Sequence, residues 1–137
     1  MVPVFVGPSS GIFNSGGKFS SLDAAKLEGE VAHHLPQNAF NRTIGLSRSE
    51  GPALGMTGAD HALTRTFAGR GAATMKSDFG LNGRQRMFLD IQQIRGTFGT
   101  RYNSGLLKSI DYSKTLPQFQ KQYKFEFTRP RFINQQQ

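Results

Sequence analysis

The feature that most constrains this chain lies in its second half. Across residues 84–98, Met87, Phe88, Ile91, Ile94 and Phe98 recur at three- and four-residue steps, which predicts a helix with one apolar face. Tyr102, Leu106, Ile110 and Leu107 repeat the pattern before Pro117 and predict a second helix, ended by the proline. Such faces need a core to bury them. A chain of 137 residues can build one modest core and not two ordinary ones.

Before residue 84 glycine and proline keep the elements short. Residues 1–20 are small, polar and Gly-rich, and read as a flexible lead. A short helix is expected over 21–30, and a strand over 31–35 that Pro36 stops. Residues 37–54 read as an ordered polar loop, with a second short strand near 53–56. Thr57 is placed to cap a helix over 58–67, with Asp60 three residues on and Gly69 closing it. A Gly-rich connector follows over 68–83. Tyr123, Phe125 and Phe127 alternate with Lys124 and Glu126 as in a late strand or extended arm. The expected organisation is a single α+β domain over 21–128, with 129–137 as a C-terminal tail.

Composition removes several classes of function. No apolar run approaches the ~18–20 residues of a membrane span, so no membrane insertion is expected. The opening segment lacks the basic start of a signal peptide. Cysteine is absent, which excludes disulfides, thiol catalysis and Cys-based zinc sites. No P-loop, RNP motif or nucleophile elbow is present.

Charge points toward a polyanion. The chain carries a formal +8 with a pI near 10.3. Residues 1–60 hold four Lys/Arg against five Asp/Glu, and residues 61–137 hold thirteen against four, a net −1 and +9. A field that one-sided attracts nucleic acid first, and an acidic protein or anionic membrane surface second. A solvated basic surface without a partner is the plain alternative. The Phe and Tyr residues interleaved with Lys and Arg near the C-terminus suit either base stacking or, in a chain without Trp, the core itself.

Three histidines are the candidate chemistry. His33 and His34 are adjacent, so a strand would aim them at opposite faces; His61 lies on the short helix. Neutral imidazole serves both as metal ligand and as general base near neutral pH. Such a pair is equally at home on a surface with no chemistry.

Ala32-His33-His34-Leu35-Pro36-Gln37, then Glu50-Gly51-Pro52-Ala53-Leu54-Gly55-Met56, then Ala59-Asp60-His61-Ala62-Leu63-Thr64 form an ordered set over about residues 30–72. This set resembles the HNH/His-Me finger nuclease domains at the C-termini of bacterial polymorphic toxins, where an HH-x-P element precedes a GPA-x-x-M segment and an ADH-x-x-T helix. The resemblance implies a ββα-metal fold, a short hairpin and helix, here with added C-terminal amphipathic helices. It implies His33 and His61 as metal ligands and His34 as the base that deprotonates the attacking water. It also implies one divalent cation, commonly Mg²⁺, with Zn²⁺, Ni²⁺ or Mn²⁺ also used.

Arg65 stands where colicin-type nucleases carry a further histidine, so Asp60 or water would complete the coordination. Asp60 also fits as an acceptor that orients a histidine, or as a helix N-terminal charge. Asn38 and Asn41 lie too early to match the central asparagine of the family. Arg65 and Arg70 are candidate phosphate-binding residues; a solvated helix face suits the first equally, and a helix C-cap loop the second. The function implied is a metal-dependent endonuclease cutting DNA with little sequence preference. It would be a toxin domain delivered by a larger effector into the cytoplasm of a target bacterium and held in check by an acidic cognate immunity protein. An RNase of the same fold, and a non-catalytic basic module that binds nucleic acid or an acidic partner, are the alternatives.

Overall fold

A computed structural model describes residues 11–120. Three strands, β1 (Gly16–Lys18), β2 (Glu30–His34) and β3 (Pro52–Thr57), form one antiparallel sheet in the order β1-β3-β2. Helices α1 (Phe19–Ala25) and α2 (Asn38–Thr43) and a 3₁₀ turn (Arg48–Glu50) lie within the strand connections. Helix α3 (Gly58–His61) follows β3 directly, and α4 (Gly69–Ser77), α5 (Gly83–Phe98) and α6 (Asn103–Ser113) complete the order. The fold class is therefore α+β: a hairpin and short helix with further helices after them. Among the described residues no helix is long and apolar enough to cross a membrane.

The central strand is the axis of the core. Pro52–Met56 are buried on both faces of β3, with Leu54 and Met56 packed among Leu35, Met87, Ile94 and Tyr102. Ile12, Phe19, Leu22, Ala32 and Ala53 form a second cluster. Helix α6 lies against β1 because glycines let the backbones meet. A Cβ on Gly16 would fall 2.0 Å from the Gly105 carbonyl oxygen, and one on Gly105 would fall 2.5 Å from Leu54 Cδ1. Ser109 then donates its hydroxyl to the Ala53 carbonyl at 2.6 Å, joining helix to sheet.

Several expectations are corrected by tertiary contacts. Residues 11–20 belong to the folded unit instead of a flexible lead: Ile12 and Phe19 are buried, and β1 pairs with β3 from Gly16↔Leu54 to Lys18↔Pro52. The segment read as one polar loop holds α2 and the 3₁₀ turn. The helix expected over 58–67 ends at His61, after which the chain runs in turns; the Gly-rich connector contains α4. Residue contacts explain the latter. Gln37 Nε2 donates to the Gly71 carbonyl at 3.0 Å, and Thr74 Oγ1 donates to the Arg65 carbonyl at 2.7 Å, so α4 is pinned from outside itself.

Helix α5 has the expected stripe, with Met87 and Ile94 buried and Ile91 and Phe98 packed beside them, but Phe88 faces out at 57% exposure. Asn82 and Gln85 close its N-terminus with a reciprocal capping box. Leu107 on α6 likewise points outward. Tyr102 and Phe119 are core residues, the apolar reading of those aromatics. The expected strand at 123–127 and the tail at 129–137 lie outside the described residues.

Candidate metal and general-base site

Strand β2 delivers the histidines. Its register sets Ala32 against Gly55, His33 against Leu54 and His34 against Ala53, so alternate side chains leave opposite faces of the sheet. His33 is buried at 5% exposure. Its ring lies 5.0 Å, centre to centre, from that of His61 at 65°, an edge-to-face contact. His61 is at the end of α3, which starts where β3 stops because Thr57 caps it: Thr57 Oγ1 accepts from Asp60 N at 3.1 Å. Strand end and helix end thus bring together two imidazoles that are 28 positions apart.

Burial pulls His33 down to about 3, and the nearby His61 and His34 rings add to the effect; burial also lowers His61. Both rings are neutral at neutral pH, with a lone pair each. Two imidazoles that bind one cation through nitrogens at about 2.0–2.1 Å hold their ring centres roughly 5 Å apart. The 5.0 Å separation of His33 and His61 fits that requirement. The ring centres are therefore close enough for one cation to join them, although the edge-to-face packing sets one ring's edge against the other's face.

No third protein donor joins them: among the described residues no group of three or more His, Asp and Glu is gathered as a metal cluster. Asp60, a candidate ligand, is turned elsewhere. Its Oδ2 accepts from Tyr102 Oη at 2.6 Å and from Arg101 Nη1 at 2.7 Å. Burial would raise the Asp60 carboxyl, yet those donors outweigh it and hold the group below its ordinary value. Tyr102 Oη in turn accepts from Thr57 N at 3.3 Å, so Asp60 and Tyr102 secure the β3–α3 corner that carries His61.

His34 occupies a separate cradle on the other side of β2. Its ring stacks on Phe19 at 4.1 Å and 10°, and its Nε2 lies 2.9 Å from the Arg48 carbonyl oxygen. A carbonyl only accepts, so Nε2 carries the proton and Nδ1 keeps its lone pair. Burial lowers the basicity of the ring; the Arg48 carbonyl works against that, the Arg48 charge works with it, and Asp23 opposes. Gly51 closes the cradle, since a Cβ there would sit 2.9 Å from His34 Cδ2 and 3.0 Å from Asn41 Nδ2. This is the arrangement of a fixed, neutral base with one defined accepting nitrogen.

No protein-family model, no curated protein and no solved structure matches the chain.

The two arginines expected at phosphate are committed within the fold. Arg65 Nε donates to Asp90 Oδ1 at 2.7 Å, and Nη2 and Nη1 reach both oxygens of Asp78 at 2.7 and 3.3 Å. Both carboxylates are buried, and burial pushes Asp90 up to about 7 although Arg65 opposes it. Arg65 therefore ties α4 and α5 to the turn after α3 instead of presenting its charge to a ligand. Arg70 donates Nε to the Thr64 carbonyl at 3.1 Å and Nη2 to the Ala62 carbonyl, satisfying groups left open where α3 stops. Its guanidinium also lies 5.7 Å over Phe67, whose ring meets His61 edge-on at 5.1 Å. Arg70 thus supports the wall behind His61. Phe19, Arg48 and Gly51 around His34, and Phe67 beside His61, are the residues that sequence reasoning missed. Their meeting depends on strand pairing and turns that no local pattern announces.

Proposed function

We propose that the chain is a metal-dependent endonuclease of the His-Me finger type that hydrolyses DNA phosphodiester bonds with little base preference. The carrying observations are the pairing of His33 with His61 on one face of β2 and, on its other face, an imidazole, His34, whose tautomer the Arg48 carbonyl sets. The +9 charge of residues 61–137 supports a polyanionic substrate held by its backbone, which carries no sequence information. The same reading makes it a toxin domain, delivered within a larger effector to another bacterium and neutralised by an acidic cognate immunity protein.

His33 and His61 would hold the cation, and water or phosphate oxygens would fill its remaining positions. When bound, a divalent cation supplies charge that stabilises the phosphoryl and leaving oxygens. Two nitrogen donors favour Ni²⁺ and Zn²⁺ in affinity over Mn²⁺ and Mg²⁺. The chain's own part is the proton transfer. His34 Nδ1 takes a proton from water as its oxygen bonds to phosphorus; the bond from phosphorus to the 3′ oxygen breaks, and that oxygen collects a proton from solvent. His34 then returns its proton to solvent. The Arg48 carbonyl, accepting from Nε2–H, stabilises the imidazolium formed on the way.

Plasmid cleavage by the purified chain with Mg²⁺, Mn²⁺ or Ni²⁺ tests the reading. Nicking by the wild type that EDTA and His34→Ala each abolish is the expected result. Cleavage of RNA alone under those conditions replaces DNA as substrate. Binding of both nucleic acids without cleavage of either, in every metal, overturns the enzyme and leaves a basic binding module.

A further inference from the structure

We propose that Arg48 is the residue that grips the phosphodiester at the reacting centre, the role for which Arg65 and Arg70 are unavailable; the inference rests on the nuclease reading above. Arg48 is held to His34 twice. Its main-chain carbonyl accepts from the imidazole at 2.9 Å, and its guanidinium carbon lies 4.5 Å over the Phe19 ring, the ring on which His34 stacks at 4.1 Å. Both contacts are to the same ring, so Phe19 keeps the cation near the base.

That nearness suits the chemistry. A phosphodiester that accepts from a guanidinium at about 2.8 Å, while its attacking water donates to an imidazole at a similar distance, needs both groups within reach of one phosphate. The two contacts on Phe19 keep the guanidinium carbon and the imidazole centre no farther apart than those two distances combined. The Arg48 charge is also uncommitted among the described residues. Asp23, the carboxylate that acts on His34, is paired at 2.7 Å with Lys26. An exposed planar cation seated on an aromatic face keeps its N–H edge for a ligand, and two parallel donors match two non-bridging phosphate oxygens. Because Arg48 belongs to the 3₁₀ turn that fixes His34, cation and base share one rigid support.

The test separates grip from turnover. Binding of a fluorescein-labelled DNA duplex is measured by anisotropy in EDTA with His34→Ala, alone and combined with Arg48→Ala or Arg48→Lys, across a salt series. Steady-state cleavage is measured with the same Arg48 changes in the otherwise wild-type chain, and Arg95→Ala serves as an equal loss of charge on α5. Arg48→Ala is expected to weaken binding about tenfold, to reduce the salt slope by about 1 and to raise KM in proportion, with Arg48→Lys recovering most of the binding. A loss of binding no larger than that of Arg95→Ala overturns the assignment even if the wild type cuts DNA. Arg48→Lys as weak as Arg48→Ala with an unfolded circular-dichroism spectrum also overturns it, by showing a packing role. Tenfold weaker binding with Arg48→Ala when the wild type cuts nothing retains the phosphate grip while removing the nuclease. Failure of the His34→Ala chain and of the wild type to bind DNA or RNA removes both.

Discussion

His34 Nε2 and the Arg48 carbonyl oxygen meet at 2.9 Å across fourteen positions of sequence, and this one contact decides which nitrogen of the ring can take a proton. Everything else near the ring protects that choice: Phe19 restrains the plane, and Gly51 leaves room for the ring edge.

Gly51→Ala therefore strikes chemistry before stability. Gly51 has an ordinary extended backbone, φ −64°, so alanine costs no backbone strain; its methyl would press on His34 Cδ2 at 2.9 Å and on the buried Asn41 amide at 3.0 Å. Turning His34 even ~1 Å out of place costs on the order of 10²-fold in rate. The expected outcome is a kcat at least tenfold lower with KM little changed and a cooperative melt retained. A variant as active as the wild type would mean that the His34 position is not required.

Asp60 and His61 are neighbours with separable duties. Ni²⁺ titration by calorimetry should show His61→Ala abolishing binding and Asp60→Asn leaving the affinity within about threefold, because the Asp60 carboxylate is engaged with Tyr102 and Arg101. Loss of Ni²⁺ binding in Asp60→Asn, with His61 still in place by NMR, would restore Asp60 as a ligand.

Arg65→Ala should behave as a folding mutation. It leaves Asp78 and Asp90, both buried, without the cation that hydrogen-bonds to each of them and, among the described residues, with only the Arg86 charge nearby, a loss typically of about 3–5 kcal/mol. Urea unfolding reads that directly. A change confined to KM, with stability within about 0.5 kcal/mol of wild type, would return Arg65 to the substrate.

Acid should unfold the chain partly through His33. Its folded value is about 3 and its unfolded value near 6.5, so between those the unfolded chain takes up a proton that the folded chain refuses. The contribution is complete above about pH 6.5 and lost as pH falls toward 3, at up to about 1.4 kcal/mol per pH unit. His34 and His61 are lowered too and act in the same direction. Urea midpoints from pH 7 to pH 4 should fall less steeply in His33→Phe than in wild type. Parallel slopes would show that His33 is not buried in neutral form.

Local pattern alone determined the pieces that depend on neighbours in sequence. The apolar repeat of Met87, Ile91, Ile94 and Phe98 announced α5. Thr57 followed by Asp60 announced the start of α3, and alternation along β2 placed His33 and His34 on opposite faces. The ends and partners were decided in three dimensions. Helix α3 stops at His61 because Arg70 satisfies the carbonyls beyond it, a contact from outside the helix. Phe88 faces solvent because packing used only part of the stripe on α5. Arg65 looks like a free cation until Asp78 and Asp90 close on it from 13 and 25 positions away. The pairing of His33 with His61, and the Phe19, Arg48 and Gly51 cradle around His34, arise the same way. A residue's charge and shape are written in sequence, but its partner is chosen by whichever surface folding brings within a few ångströms, and that choice is made by strand register and helix docking.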